Sequence, residues 1–385
     1  MRRVNMLDLG SEFALYGDAV RAAIDGVLET QRFVGGPPVE EFETAMCERV
    51  GSAHAVAVSS GTDALLCALM ALDVGAGDEV IVPTFSFFAT GGCVFRLGAK
   101  PVFVDVDART FNIDPVAVER AVTDRTRAIM PVHVFGQCAE MDAINEIAKQ
   151  CGATVIEDAA QAIGATYHGR SACTLGEVAC LSFYPTKNLG ACGEGGMILT
   201  DSEELALVAR QLRNQGQTGV YDHALVGGNF RLDSLKAAVL TVKLGYLEDL
   251  TNRRRRNAAQ YGDLLSDVPI TPPIVAEGHE PVYHQYTILC ERRDALRTFL
   301  QDRGVGTGVF YPIPLHLQKC FASVGCEAGA CPVAERLCEQ VVSLPCHPML
   351  SEEDVDYVSS CVHEFFSGAG AERAVTSTST RGETR

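Results

Sequence analysis

Seven short apolar runs between about residues 54 and 200 alternate with helix-like segments. The runs are HAVAVSS, DEVIVPTF, KPVFVDVD, RAIMPVHVF, ATVIEDAA, VACLSFYP and GGMILTD. Segments such as ALLCALMAL and MDAINEIAKQ, with apolar residues at helical intervals, lie between some of them. Near-continuous Val/Ile runs separated by helices are typical of a mainly parallel sheet covered on both faces. The pattern therefore predicts an α/β domain.

The pattern changes after about residue 230. LDSLKAAVLTVKLGYLEDLTNRRRRNAAQYGDLL indicates one long helix or two in succession, and a Pro-rich connection, the strand-like YHQYTILCE and two further helices follow. We predict a large α/β domain over residues 1–245 and a smaller C-terminal α+β domain over residues 246–367. Residues 368–385 have few apolar side chains to bury, so we expect a disordered tail there.

Composition narrows the class of protein. Hydrophobic residues make up 47% of the 385, enough for a large core, and no apolar run reaches the roughly 18 residues that span a bilayer. The N-terminus lacks the apolar region of a secretory signal, so we expect a soluble, cytoplasmic protein. The net charge of -17 disfavours nucleic acid as a partner, whereas a small phosphorylated ligand remains compatible with it.

The fifteen cysteines form no C-x-x-C pair. The densest group, Cys320, Cys326 and Cys331, lacks zinc-ligand spacing, and others such as Cys67 and Cys180 lie within apolar runs. We interpret them as buried reduced thiols and predict no metal site.

The segment SSGTDAL joins an apolar strand directly to a helix. Gly61 allows a ligand close to the backbone, and Thr62 and Asp63 would present free N–H groups at the helix start. That geometry binds phosphate. An ordinary helix cap explains the same residues equally well.

Two acidic residues, Glu157 and Asp158, end a strand too apolar to be exposed. A buried carboxylate needs a partner, and a protonated pyridine nitrogen would be one. Such a pairing makes the ring an electron sink for carbanion chemistry. The alternative is a carboxylate that caps the next helix.

A lone lysine, Lys187, follows the strand VACLSFYP in a glycine-rich turn. A partly desolvated lysine amine loses its proton easily and forms an imine with an aldehyde. Ser182 and Thr186 could contact a phosphate nearby. Taken alone, the segment fits a surface lysine better.

Three aromatic residues, Phe85, Phe87 and Phe88, follow another strand, where one ring could lie against a ligand, although core packing is the commoner role. Together with the phosphate site, the acidic strand end and the lysine, they supply the contacts that pyridoxal phosphate (PLP) requires. A nicotinamide enzyme fits less well, because GACGEGG departs from G-x-G-x-x-G and precedes a strand. The run Arg253–Arg256 indicates a solvated helix surface, with a diphosphate contact as the alternative.

At this point the sequence resembles the DegT/DnrJ/EryC1/StrS family of PLP-dependent sugar aminotransferases. The blocks SSGTDAL, PVHVFGQ, EDAAQAIGA, SFYPTKNLG, GGNFRLD and YPIPLHLQ occur in family order, and the resemblance covers nearly the whole chain. It implies a fold-type-I (aspartate-aminotransferase-like) enzyme that works as a homodimer with active sites at the subunit interface.

The resemblance also implies roles for individual residues. At the cofactor ring, Lys187 would hold PLP as a Schiff base and, once freed, act as the base, while Asp158 would pair with the pyridine nitrogen. Gln161 would lie near the 3-hydroxyl, and Phe87 would stack on the ring. The remaining contacts would involve the phosphate (Thr62, Asp63, Ser182, and Asn229 toward the neighbouring subunit) and the sugar (Tyr311 and His316).

The implied activity moves an amino group from glutamate or glutamine to a keto-sugar, most readily a nucleotide-linked keto-deoxyhexose aminated at C-3 or C-4. A cyclitol acceptor is an alternative within the family. Some family members carry histidine at the lysine position and remove a sugar hydroxyl, so a dehydratase is a second alternative, which Lys187 disfavours. A nicotinamide-dependent sugar oxidoreductase is the third.

Overall fold

The computed structural model describes residues 2–368. Its strands are β1 (His54–Val58), β2 (Glu79–Pro83), β3 (Lys100–Val104), β4 (Thr126–Ile129), β5 (Thr154–Asp158), β6 (Thr166–Tyr167), β7 (Arg170–Ser171), β8 (Val178–Ser182), β9 (Gly196–Thr200), β10 (Gln217–Gly219), β11 (Asp222–His223), β12 (His279–Glu280), β13 (Tyr286–Leu289) and β14 (Val341–Leu344).

The α-helices are α1 (Leu9–Thr30), α2 (Pro37–Val50), α3 (Gly61–Ala71), α4 (Phe88–Arg96), α5 (Pro115–Ala121), α6 (Met141–Cys151), α7 (Glu203–Arg213), α8 (Ser234–Leu244), α9 (Leu247–Leu264), α10 (Arg293–Asp302), α11 (Pro332–Gln340) and α12 (Glu352–Phe366). Short 3₁₀ turns occupy Val134–Gly136, Leu315–Leu317 and Lys319–Val324.

The central sheet has seven strands in the order β1-β9-β8-β5-β4-β2-β3. All seven apolar runs of the sequence form these strands. The pairs within β8, β5, β4, β2 and β3 are parallel, and β9 runs antiparallel to both of its neighbours. The prediction of a mainly parallel sheet is therefore confirmed.

The sheet is buried on both faces because its strands are apolar at odd and even positions alike. In β2, Ile81 packs into one apolar cluster, and Val80 and Val82 pack into another. Successive side chains of a strand point to opposite faces, so the two clusters lie on opposite sides of the sheet. Helices such as α2 and α6 cover the first face, and α3 and α7 cover the second.

The C-terminal part has its own apolar cluster, built from α9, α10, α12 and the antiparallel pair β13–β14. The long helical segment proves to be two helices, because α8 ends before Gly245 and α9 begins at Leu247. Val4 near the N-terminus pairs with Val305 and packs in this same cluster. The domain boundary at 245 stays a prediction, and the tail over 369–385 lies outside the described residues.

The arginine run is not a uniformly solvated surface. Arg254 is buried and donates a hydrogen bond to the carbonyl of Cys346 at 3.2 Å, while Arg255 donates to the carbonyl of Pro281 at 3.0 Å. Arg253 pairs with Asp249 one helical turn away. The solvated interpretation is wrong for Arg254, because α9 turns this position toward the segment after β14, whose carbonyl accepts the charge-assisted bond.

The thiols are all unpaired, and Cys67 and Cys180 are buried in the core as expected. Cys192 and Cys320 are exposed, so the interpretation as buried thiols is wrong for those two. Among the helices of the described residues, none combines the length and apolarity needed to cross a membrane.

Candidate active site

A tight contact at the carboxyl ends of β1 and β8 brings two predicted site residues together. Gly196, the first residue of β9, pairs with Val58 on one side and with Ser182 on the other. A side chain at Gly196 would collide with the Ser60 carbonyl, so only glycine lets the loop after β1 fold over it. That fold places Gly61 so close to Ser182 that an added Cβ would lie 2.7 Å from the serine Cβ.

The start of α3 is capped and still has free donors. Ser60 is the N-cap and accepts from the backbone N–H of Asp63 at 3.0 Å, and the Asp63 carboxylate accepts from the hydroxyls of Ser59 at 2.6 Å and Ser60 at 2.9 Å. Within residues 2–368, the N–H groups of Gly61 and Thr62 have no protein acceptor. The cap interpretation of the motif is therefore confirmed, and the phosphate interpretation stays a prediction, for which the capped turn presents two donors to an anion.

The carboxylate of Asp158 lies at the end of β5 in the middle of the sheet. The strand is held there by the Asp158 carbonyl, which accepts from the N–H of His133 at 3.0 Å. Oδ2 accepts from the Thr90 hydroxyl at 2.9 Å, and Oδ1 has a longer contact of 3.3 Å with the N–H of Ala160. Burial raises the pKa of Asp158, and the Thr90 hydrogen bond and the charge of Lys187 oppose that rise.

The carboxylate of Glu157, the neighbour of Asp158, is occupied by hydrogen bonds within the protein. His133 accepts at Nδ1 from the N–H of Ala139 at 3.1 Å, so its Nε2 carries the proton and donates to Glu157 at 2.9 Å. The other donors to this carboxylate are the backbone N–H groups of Cys173, Leu175 and Gly176. Adjacent residues of a strand point to opposite faces, so only one of the two acids can face the site.

Lys187 lies in the turn after β8, the strand adjacent to β5, and it is half-buried, unlike a surface lysine. Burial lowers the pKa of Lys187 to about 8, and the attraction of Asp158 limits the change. The next residue, Asn188, is anchored by the carbonyl of Val282 and by the imidazole of His284. Burial and the charge of Lys187 hold the pKa of His284 well below its usual value, so this imidazole is neutral.

The three phenylalanines after β2 have different environments. Phe85 is fully buried, and Phe88 stacks on Phe321 with ring centroids 5.6 Å apart. Phe87 caps the N-terminus of α4 and keeps 58% of its surface exposed. Phe88 is also exposed, at 51%, but Phe321 stacks against it, and a stacking role for Phe87 stays a prediction.

Gln161 links the loop after β5 to the C-terminal part of the chain. Its Oε1 accepts from the N–H of Phe135 at 2.7 Å, and its Nε2 donates to the hydroxyl of Tyr311 at 2.9 Å. Burial raises the pKa of Tyr311, the hydrogen bond with Gln161 opposes that rise, and the charge of Asp158 adds to it.

His316 is buried, and both of its ring nitrogens have partners. Nε2 lies 3.1 Å from the carboxylate of Glu335, which only accepts, so Nε2 carries the proton. Nδ1 then accepts from the Thr84 hydroxyl at 2.6 Å, and the same Thr84 oxygen accepts from the backbone N–H of His316 at 3.1 Å. These contacts anchor the loop that carries Tyr311, and a sugar contact by His316 stays a prediction.

Asn229 is exposed and is tied into the fold by its backbone. It pairs with Asn214, and the carbonyl of the next residue, Phe230, accepts from the N–H of Ser59 at 2.8 Å. The residue therefore lies near the α3 end of the site, with its side chain open to solvent.

Sequence reasoning missed four residues here. Ser86 and Thr90 flank the turn beside Asp158, and Asn188 and His284 brace the Lys187 turn. Thr90 lies in the first turn of α4, two residues after the aromatic run, and that closeness was the available signal for it. No signal in the sequence indicated His284, because its partner Asn188 is 96 residues away in the chain.

The assembled groups suit one kind of ligand. Free helix N–H groups and a serine hydroxyl fit a phosphate, a buried carboxylate fits a protonated ring nitrogen, an open aromatic ring fits a planar system, and a lysine amine of lowered pKa fits an aldehyde. Among residues 2–368, no group of three or more His, Cys, Asp or Glu side chains could hold a metal ion.

Comparisons with known proteins agree with this chemistry. The model of the DegT/DnrJ/EryC1/StrS aminotransferase family matches residues 16–363. A pleiotropic regulatory protein of Geobacillus stearothermophilus is 47% identical over 94% of this chain and 98% of its own length. UDP-2-acetamido-2-deoxy-3-oxo-D-glucuronate aminotransferase of Pseudomonas aeruginosa is 43% identical over 93% of this chain and 99% of its own. The solved structure of S. venezuelae DesV in complex with ketimine intermediate has a TM-score of 0.93 at 42% identity, covering 95% of this chain and 99% of that one.

Proposed function

Since the chain belongs to the DegT/DnrJ/EryC1/StrS aminotransferase family and is a pyridoxal-phosphate-dependent sugar transaminase of fold type I, we propose that it aminates a nucleotide-linked keto-sugar. The amino donor is glutamate or glutamine. The observation that carries the proposal is the position of Lys187, whose pKa burial lowers to about 8, in the turn after β8, next to the strand β5 that ends in Asp158.

Bound PLP supplies an electron sink for the carbanion that forms when a proton leaves the carbon next to the amine. Asp158 Oδ1 would hold the ring nitrogen in its protonated form, since Oδ2 is already bound to Thr90. Lys187 Nζ would hold the cofactor and, when released, take up and return the proton. An amine of pKa about 8 is suited to both steps near neutral pH.

The other proposed contacts follow the same geometry. The N–H groups of Gly61 and Thr62 and the hydroxyl of Ser182 would hold the phosphate. Asp63 would act indirectly, because its carboxylate is occupied by Ser59 and Ser60. Phe87 would cover one face of the ring.

Gln161 Nε2 and the Tyr311 hydroxyl would lie beside the ring's 3-hydroxyl. His316 would act as a positioning residue for Tyr311 through its contacts with Thr84 and Glu335, and would border the sugar only through the loop that it holds.

The acceptor is proposed to be aminated at C-3. The Pseudomonas aeruginosa relative carries a 3-oxo sugar in its name, and the similarity to it spans nearly the full length of both chains. Recognition of a remote nucleotide diphosphate would help to orient the reacting carbonyl.

We also propose a cytoplasmic homodimer that shares its sites. The hairpin β10–β11 and the residues after it expose Val220, Tyr221 and Val226 at 87–92%. Apolar side chains that are exposed to this extent are typical of a surface that a partner covers. Asn229, which follows the hairpin, would then reach the phosphate held by the partner subunit. Light scattering of the purified chain tests the dimer.

The first experiment is the visible absorbance spectrum of the purified protein before and after addition of glutamate. We expect a cofactor band that glutamate shifts, that Lys187→Ala abolishes and that the control Lys149→Ala, at an exposed lysine, retains. The aminated form is then offered UDP- and dTDP-linked 3-keto and 4-keto sugars, and the products are identified by mass spectrometry.

Each alternative has its own outcome. Failure to retain PLP when it is supplied, together with NAD(P)H-dependent turnover, would replace the proposal with a sugar oxidoreductase. Retention of PLP without conversion by any donor, combined with loss of a sugar hydroxyl, would favour a dehydratase.

A further inference from the structure

A buried pair of hydroxyl groups adjoins Asp158 at the start of α4, with Ser86 in the turn before the helix and Thr90 in its first turn. The Thr90 hydroxyl lies 2.9 Å from Asp158 Oδ2, and the Ser86 hydroxyl lies 2.8 Å from the Thr90 oxygen. Ser86 is 2% exposed, Thr90 is 0% exposed and Asp158 is 4% exposed. Bulk water therefore cannot replace these contacts.

The direction of both hydrogen bonds follows from the charge of the acid. An ionised carboxylate only accepts, so the Thr90 hydroxyl must donate its single proton to Asp158. The Thr90 oxygen then accepts from Ser86. The result is a directed chain from Ser86 through Thr90 to Oδ2, which fixes the rotation of the carboxylate. Among residues 2–368, Oδ1 then has only the 3.3 Å contact from Ala160.

The same turn also carries Phe87. Its carbonyl accepts from the backbone N–H of Thr90 at 3.2 Å, and its ring is 58% exposed. The position of the aromatic ring and the rotation of the Asp158 carboxylate are thus set by one short segment, residues 86–90.

We propose that Thr90 is a positioning residue for the transamination, which holds Asp158 ionised and aims its free oxygen at the ring nitrogen of the cofactor. Ser86 supports it by fixing the direction of the Thr90 hydroxyl. This inference rests on the proposed function, because it assigns a role to Thr90 only if Asp158 pairs with the cofactor.

The electrostatics of the acid agree with this role. Burial raises the pKa of Asp158, and the hydrogen bond from Thr90 is the largest of the influences that lower it. A valine at position 90 would keep the shape of threonine and remove that donor. The carboxylic acid would then protonate more readily and could no longer stabilise a protonated ring nitrogen.

The test measures cofactor affinity as well as activity. Apo-protein is titrated with PLP and, separately, with an analogue whose ring nitrogen is replaced by C–H, for the wild type, Thr90→Val, Thr90→Ser and Ser86→Ala. Thr298→Val, at an exposed threonine whose hydroxyl bonds only a helix carbonyl, is the control for loss of a hydroxyl. Thermal unfolding of each apo-protein reports on folding.

We expect Thr90→Val to bind PLP roughly tenfold or more weakly, as loss of a hydrogen bond to a charged group predicts. Its affinity for the analogue should equal that of the wild type, because the analogue offers Asp158 no nitrogen. Thr90→Ser should restore PLP binding, and Ser86→Ala should fall between them.

Equal weakening toward both ligands would overturn the inference, because it would mean that Thr90 only shapes the pocket. Unchanged PLP affinity in Thr90→Val would also overturn it. Failure of the wild type to bind PLP would instead contradict the proposed function, and this inference would fall with it.

Discussion

Gln161 and Tyr311 are 150 residues apart in the chain, and the amide of the first donates to the hydroxyl of the second at 2.9 Å. The other end of the amide accepts from the backbone N–H of Phe135. The glutamine therefore has a fixed orientation, with its nitrogen toward Tyr311. This contact joins the loop after β5 to the C-terminal part of the chain at the candidate site.

Removal of the tyrosine hydroxyl tests that contact. In Tyr311→Phe, Nε2 of Gln161 loses its acceptor, and we expect kcat/KM to fall about fivefold to tenfold, the cost of about 1 kcal/mol for one hydrogen bond. The fold should be retained. Tyr357→Phe, which removes a hydroxyl bonded to a backbone carbonyl far along the chain, is the matched control. Equal kcat/KM values for Tyr311→Phe and Tyr357→Phe would mean that the Tyr311 hydroxyl has no role in the site.

Substitution of Glu157 should affect stability far more than substitution of an exposed acid. In Glu157→Gln, an amide NH₂ replaces an oxygen that accepts from buried N–H groups, so we expect a loss of about 3–5 kcal/mol in the free energy of unfolding. Urea denaturation of the apo-protein measures it, with the exposed Glu146→Gln as control. A loss below about 1 kcal/mol would contradict the scaffold role.

The close contact between Gly61 and Ser182 predicts a steric effect on cofactor binding. In Gly61→Ala the new methyl group would lie 2.7 Å from the Cβ of Ser182. This contact is too short, so the start of α3 must shift. We expect weaker PLP binding with little loss of stability, and partial recovery in Gly61→Ala/Ser182→Gly. Gly75→Ala, which adds a methyl group into open space, should bind PLP normally. Normal binding by Gly61→Ala would argue against a phosphate at this turn.

The lysine should make stability depend on pH in the cofactor-free protein. Burial lowers the pKa of Lys187 from 10.5 to about 8. Between those values the unfolded chain binds more protons at this lysine than the folded chain does, so the free energy of unfolding rises with pH there. We expect the wild type to gain stability relative to Lys187→Met from about pH 8 to 10 in denaturation series. A difference that does not change with pH would mean that the amine keeps its ordinary pKa.

The sequence by itself determined the seven strands of the sheet and the position of the lysine. Apolar runs of Val and Ile are local signals, and a strand followed by glycine, hydroxyl groups or lysine marks a strand end wherever the chain then goes. That is why the SSGTDAL turn, Asp158 and Lys187 are recognisable as candidates from their immediate neighbours in the chain.

Only the tertiary structure decided how those groups are used. Strand alternation puts Glu157 and Asp158 on opposite faces but does not say which face holds the site. The partners that settle it, Thr90 for Asp158 and His133 for Glu157, lie 68 and 24 residues away in the chain. Arg254 is buried for the same reason, since its acceptor is 92 residues distant. Hydrogen bonds across such separations depend on how the elements pack, which a local pattern of residues does not encode.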